Sequence, residues 1–101
     1  MEVSSGKQIS PAFSWKDFSR FVDVAPVAHG WLVYWGKYHD LGSRRELMGN
    51  RIYADLDGVR RRVADAVFEL TRDNALVAEA MMLFDRTSFP HHTAKSLSDP
   101  I

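Results

Sequence analysis

The sequence predicts an α+β fold: a small two-layer sandwich with a short antiparallel sheet packed on a long or bent C-terminal helix, plus a short N-terminal helix. Three observations point there. The run WLVYWGKY at 31–38 is dense in the β-branched and aromatic side chains that suit a pleated strand. A second alternating run, RIYADL at 51–56, follows a glycine-bearing stretch that returns the chain. From Val59 to Phe84 the apolar residues then recur at helical spacing. With 101 residues, 46% hydrophobic and 26% charged, the chain has the size and composition of one globular domain. One modest core is expected, with little room for an enclosed catalytic cleft.

Taken in order, residues 1–10 are polar and aperiodic and predict a disordered N-terminus. A single α/β domain is expected over 11–87 and a flexible C-terminal tail over 88–101. Ser14 followed three residues on by Asp17 is a variant of the capping box, and Trp15, Phe18 and Phe21 or Val22 fall on one helical stripe. Pro26 would end that helix. In the strand 31–38, alternation sends Trp31, Val33 and Trp35 one way and Leu32, Tyr34 and Tyr38 the other. HDLGSRRELMGN, residues 39–50, carries Gly42, Gly49 and Asn50 and reads as a loop. In 51–56, Ile52, Ala54 and Leu56 are expected to face the core, and Arg51, Tyr53 and Asp55 to face outward.

Asp57 is a suitable N-cap for the last element, whose stripe includes Val63, Val67 and Leu70. Unbroken to residue 86, about 28 residues would run ~42 Å, longer than a compact domain of this size is wide. The alternatives are a bend or new cap at Thr71-Arg72-Asp73-Asn74, or a protruding end used for a homodimer through the C-terminal helix. The expected core comprises Trp15, Phe18, Trp31, Val33, Trp35, Ile52, Ala54, Leu56, Val63, Val67 and Leu70.

Charge and composition narrow the function. Lysine plus arginine total 13, as do aspartate plus glutamate, so no net field draws the chain to nucleic acid or an anionic membrane. No cysteine is present, which excludes disulfides, thiolate nucleophiles and cysteine-held zinc and suits a cytoplasmic location. No apolar run has the length of a signal peptide core or a membrane span. Arg60, Arg61 and Arg62 fan around a helix at ~100° intervals, with Asp57 and Asp65 at pairing spacings from Arg61 and Arg62, and Glu69 at pairing spacing from Arg72. They read as a solvated helix face.

The more basic interval is 37–53, where Lys37, Arg44, Arg45 and Arg51 lie beside Tyr38 and Tyr53; with Tyr34 on the outer face of the first strand, Arg44, Arg45, Arg51, Tyr34, Tyr38 and Tyr53 form one set. Arginine beside tyrosine is enriched at the energetic centres of protein interfaces and also serves single-stranded nucleic-acid binders. These six residues form the candidate partner-binding set, with a protein partner favoured over nucleic acid. Catalytic residues, a metal site and a cofactor are not assigned. His91-His92 lacks a further ligand at suitable spacing, and His29, His39 and Asp40 have no nucleophile to serve. Asp55 and Asp57 could flank a magnesium ion, but a cap explains Asp57 better. Scattered glycines form no phosphate-binding loop, and Met81-Met82 reads as core. The chain is not expected to be an enzyme.

The order PVAHGWLVYWG, an irregular glycine-bearing stretch, a strand, and a helix ending in LTRDNALVAEAMMLFDR resembles small accessory proteins of Pseudomonas-type bacteriophages, among them the type I-F anti-CRISPR proteins. The resemblance rests on Pro26-Val27, Gly30-Trp31 and the run from Arg72 through Ala75 to Ala78-Glu79. It implies a non-catalytic inhibitor, without cofactor, that binds a bacterial defence complex in the host cytoplasm and blocks DNA recognition. The basic stretch HDLGSRRELMGN departs from the family's pattern there, and the contact residues do not carry over. A small nucleic-acid-binding regulator using the same arginines is the alternative.

Overall fold

The computed structural model describes residues 11–39 and 43–89. Four strands precede two helices: β1 (Phe13–Lys16), β2 (Arg20–Val27), β3 (Gly30–His39), β4 (Arg44–Tyr53), α1 (Leu56–Thr71) and α2 (Asn74–Arg86). The strands form an antiparallel sheet in chain order β1-β2-β3-β4. Both helices cover one face of it, and among the described residues the other face carries no second layer. Residues 1–10, Asp40 and His91-His92, on which several expectations fell, lie outside the described residues.

The expected N-terminal helix is a β-hairpin. Asp17 accepts the N–H groups of Ser19 and Arg20, each at 3.0 Å, and closes the turn between β1 and β2. Trp15 lies directly across from Val22, and both are buried on the helix-covered face. Phe18 sits at the turn and is 94% exposed, so it does not belong to the core. Pro26 lies within β2, opposite Trp31. β1 reaches only as far as Val24, so beyond it β2 is an edge, where a residue without an N–H is tolerated.

β3 alternates as expected, with Trp31 and Val33 buried and Trp35 packed partly buried beneath the helices. The stretch read as a loop is largely β4, which pairs with β3 from Arg44 to Tyr53. Its register shifts between Trp35 and Gly36, leaving Met48 as an extra residue in β4, a β-bulge. Two glycines permit this approach. A Cβ on Gly36 would lie 1.9 Å from the Glu46 carbonyl oxygen, and one on Gly49 would lie 2.5 Å from the Trp35 ring. The bulge reverses the facing expected for 51–56. Ile52 lies opposite Leu32 and is 62% exposed, whereas Tyr53 lies opposite Trp31 and packs against the core. Ala54 is exposed, and Leu56 and Leu70 are partly buried.

The helical cap is Asp55 rather than Asp57: its carboxylate accepts the Gly58 N–H at 2.9 Å, and Asp57 stands in the first turn. The apolar stripe breaks into two helices. Arg72 adopts the left-handed conformation (φ 55°) while its N–H bonds the Phe68 carbonyl, and Asp73 caps α2 through the Ala75 N–H at 2.8 Å. The chain reverses there, so the protruding rod that motivated a helix-mediated dimer does not form. α1 buries Val59, Val63, Ala66 and Val67 against the sheet. α2 contributes Ala80 and Phe84, the latter edge-on to Phe13 at 5.3 Å. Phe89 packs on Phe84 and Trp31, at ring separations of 4.9 and 5.4 Å. Packed chain therefore extends past the boundary expected at 87.

Two of the three successive arginines serve this layer. Arg60 makes a two-pronged ion pair with Asp85 (2.8 Å each) that ties α1 to α2. Arg62 stacks on Trp35 (4.4 Å to the ring centre) and reaches Glu69 at 2.8 Å. Among the described residues the expected pairs of Asp57 or Asp65 with Arg61 are not formed.

Candidate functional site

The helix-free face of the sheet holds the most organised surface chemistry. The register sets Ser14, Asp23, Tyr34 and Asn50 in one row across the four strands. The adjacent row runs Lys16, Phe21, Gly36 and Leu47, and beyond it Tyr38 pairs with Arg45. Gly36 presents no side chain, and across it Arg45 lays its guanidinium 4.5 Å from the centre of the Phe21 ring. Tyr38 and Tyr34 close over Phe21 from β3, at ring separations of 5.2 and 6.4 Å. Phe21 is thereby 0% exposed although no helix covers it.

Beneath this lid lies a buried carboxylate. Asp23 is 4% exposed; it accepts the Ser14 hydroxyl at 2.6 Å and the Arg45 guanidinium at 3.3 Å. A charge removed from water in this way requires such partners. The cluster perturbs its members. Burial, and then the Asp23 carboxylate, hold the Tyr34 hydroxyl above the ordinary tyrosine range, with Arg45 acting in the opposite sense. Burial works to lower the Arg45 pKa, but Tyr38, Asp23 and Tyr34 together raise it, so the guanidinium stays charged.

Beside the lid is an open groove of about 590 Å³, floored by Phe21, Ala25 and Leu32 and rimmed by Tyr34, Arg45, Leu47 and Asn50. Its size is that of sites that take a small ligand or a partner's side chain. Leu47, at 53% exposure, and Ile52 extend the apolar surface toward β4. The groove offers an aromatic and aliphatic floor, one guanidinium, one phenol and one amide. That set can hold an apolar anchor and orient it with a few polar contacts.

Of the six residues selected from sequence, Tyr34, Tyr38 and Arg45 come together here. Arg44, Arg51 and Tyr53 lie on the opposite face by register, across from His39, Val33 and Trp31. Phe21, Asp23, Leu32, Leu47 and Asn50 were not anticipated. The alternation in RFVDVA was the signal for the first two, since Phe21, Asp23 and Ala25 share one face of a strand.

Elsewhere, His39 Nε2 and Glu46 Oε1 lie 2.7 Å apart at the exposed end of the β3–β4 pair. Glu46 is held below the usual carboxylate range, first by its hydrogen bond with His39. Among the described residues no group of three or more histidine or acidic side chains is placed to hold a metal ion, and no helix is long and apolar enough to cross a membrane. No protein-family model, curated protein or solved structure matches the chain.

Proposed function

We propose that the protein is a non-catalytic binding protein that docks the helix-free face of its sheet onto a protein partner and inhibits it. The observation that carries this reading is the lid of Arg45, Tyr34 and Tyr38 over a fully buried Phe21, beside a groove edged by exposed Leu47. Tyrosine and arginine held in place by neighbours lose little freedom on binding, which is what makes such residues interface anchors. The resemblance drawn from PVAHGWLVYWG and the α2 sequence supplies the target: a type I-F CRISPR effector complex in a bacterial cytoplasm, whose access to DNA the bound protein would block. The nucleic-acid alternative is less well served, because its three arginines do not share a face: Arg45 lies on the helix-free face and is engaged with Asp23, whereas Arg44 and Arg51 lie on the other.

The test uses purified type I-F effector complex and measures its binding to target DNA with increasing amounts of the protein. Wild type should abolish DNA binding, and Tyr34→Ala with Leu47→Asp should relieve the block. Met82→Asp, on the exposed side of α2, should act as wild type. No effect of wild type, or full inhibition by the Tyr34/Leu47 variant, would overturn the reading. Salt-sensitive binding of the protein to oligonucleotides alone would favour the alternative.

A further inference from the structure

We propose that β4 is a self-association edge, along which two copies of the chain pair antiparallel about a two-fold axis and join their sheets into one of eight strands. This goes beyond the docking function above and leaves the groove face uncovered. The sheet has two edges of very different kind: β1 has four residues, β4 has ten. Three of the six exposed large apolar residues among those described, Leu47, Met48 and Ile52, sit on β4. A long edge with apolar side chains is a template for another strand, and bulges and charges ordinarily guard against this.

Here the bulge and the charges favour one pairing. Because Met48 is an extra residue, Arg45, Leu47, Asn50 and Ile52 share the groove face, while Glu46, Gly49 and Arg51 share the helix-covered face. Consider the antiparallel register that sets Glu46 opposite Arg51 of the second copy. It also sets Leu47 opposite Asn50 and Arg45 opposite Ile52, and in every pair both side chains lie on the same face, as cross-strand partners must. Without the bulge Glu46 and Arg51 would point to opposite faces, and this register would not exist.

Symmetry supplies the Glu46 and Arg51 pair twice. Arg51 is exposed and has no ion-pair partner among the described residues. Glu46 meets His39 through Oε1, and a carboxylate can accept further bonds through its second oxygen. Slipping the register by two residues one way sets Arg44 against Arg51, and slipping it by two the other way sets Glu46 against Tyr53; a distant register with Glu46 opposite Arg44 would set Arg45 against its own copy, so the register described joins opposite charges without facing like ones. It also brings Ile52 of each copy toward Leu47 of the other across the seam, reducing their contact with water.

The experiment is light scattering coupled to size-exclusion chromatography of the full chain over a dilution series. Wild type should show twice the 11.5 kDa chain mass at the upper concentrations. Glu46→Arg and Arg51→Glu should each weaken the dimer by roughly tenfold, because like charges then face one another at two equivalent places. The double variant should recover the wild-type affinity. A wild-type monomer throughout, up to about 0.5 mM, overturns the proposal, since even a millimolar association would register there. A double variant no tighter than the single ones overturns it too. The chain has no cysteine, so Leu47→Cys and Asn50→Cys proteins can be mixed under mild oxidation as a second measurement. They should cross-link to each other in preference to themselves, and an absence of preference refutes the register.

Discussion

Phe21→Ala tests whether the helix-free face is built or merely exposed. Phe21 is 0% exposed, yet its cover consists of one arginine and two tyrosines rather than a packed layer. Truncating a fully buried phenylalanine costs about 3–5 kcal/mol through lost transfer energy and the cavity left behind. The lid is anchored to Asp23 but borders an open groove, so some collapse is available and the low end, about 3 kcal/mol, is expected. For a chain of this length that corresponds to a fall in melting temperature of roughly 12–24 °C. Urea unfolding followed by tryptophan fluorescence gives the free energy, with Phe18→Ala as the control. Phe18 is exposed at its turn, so its loss should stay within about 0.5 kcal/mol. A Phe21→Ala loss below about 1 kcal/mol, indistinguishable from an ordinary surface change, would refute the claim that the lid seals a second small core.

Three further outcomes are expected. Gly36→Ala places a Cβ 1.9 Å from a backbone oxygen of β4 and should cost about 3 kcal/mol or more, measured by thermal unfolding, because backbone must move to accommodate it. Asp55→Ala removes the α1 cap and should cost about 1 kcal/mol in the same assay, with Asp55→Asn retaining most of it. Tyr34 has a folded-state pKa raised above 10.0 by burial and then by Asp23, so the fold favours the neutral phenol. That contribution is present in full below pH 10.0 and is lost as pH rises through the raised value. In a tyrosinate absorbance titration one of the three tyrosines should ionise late, and Asp23→Asn should advance it; a single uniform step in both proteins would contradict the assignment.

The elements best legible in the sequence were those with one structural period over many residues. β3 and the helical region announced themselves because WLVYWGKY alternates cleanly and the stripe from Val59 to Phe84 breaks only at Asn74, though that break alone left one bent helix and two capped ones equally open. The β1–β2 hairpin was misread for a physical reason. A tight turn at Asp17–Ser19 folds Trp15 onto Val22, so apolar residues on either side of Phe18 acquire a spacing that mimics one helical face. β4 was hidden because its glycine and asparagine, which elsewhere mark turns, here serve a bulge and the close approach of Trp35. That one extra residue also inverted the expected facing of Ile52 and Tyr53. The candidate site was half visible. Tyr34, Tyr38 and Arg45 could be selected by residue type, but the carboxylate that fixes them lies on β2, and only the strand pairing brings Asp23 beside Arg45.

Each strand lies beside its immediate predecessor in the chain, and both helices come last. A meander of this kind closes short loops only, which favours quick assembly of the sheet. During synthesis the side bearing the indoles stays uncovered after Tyr53 until roughly thirty more residues are made, an interval of about 2–6 s at ordinary translation speeds. A chain stalled in that window is an adhesive ribbon, and completing the helical hairpin seals the side that bears the indoles.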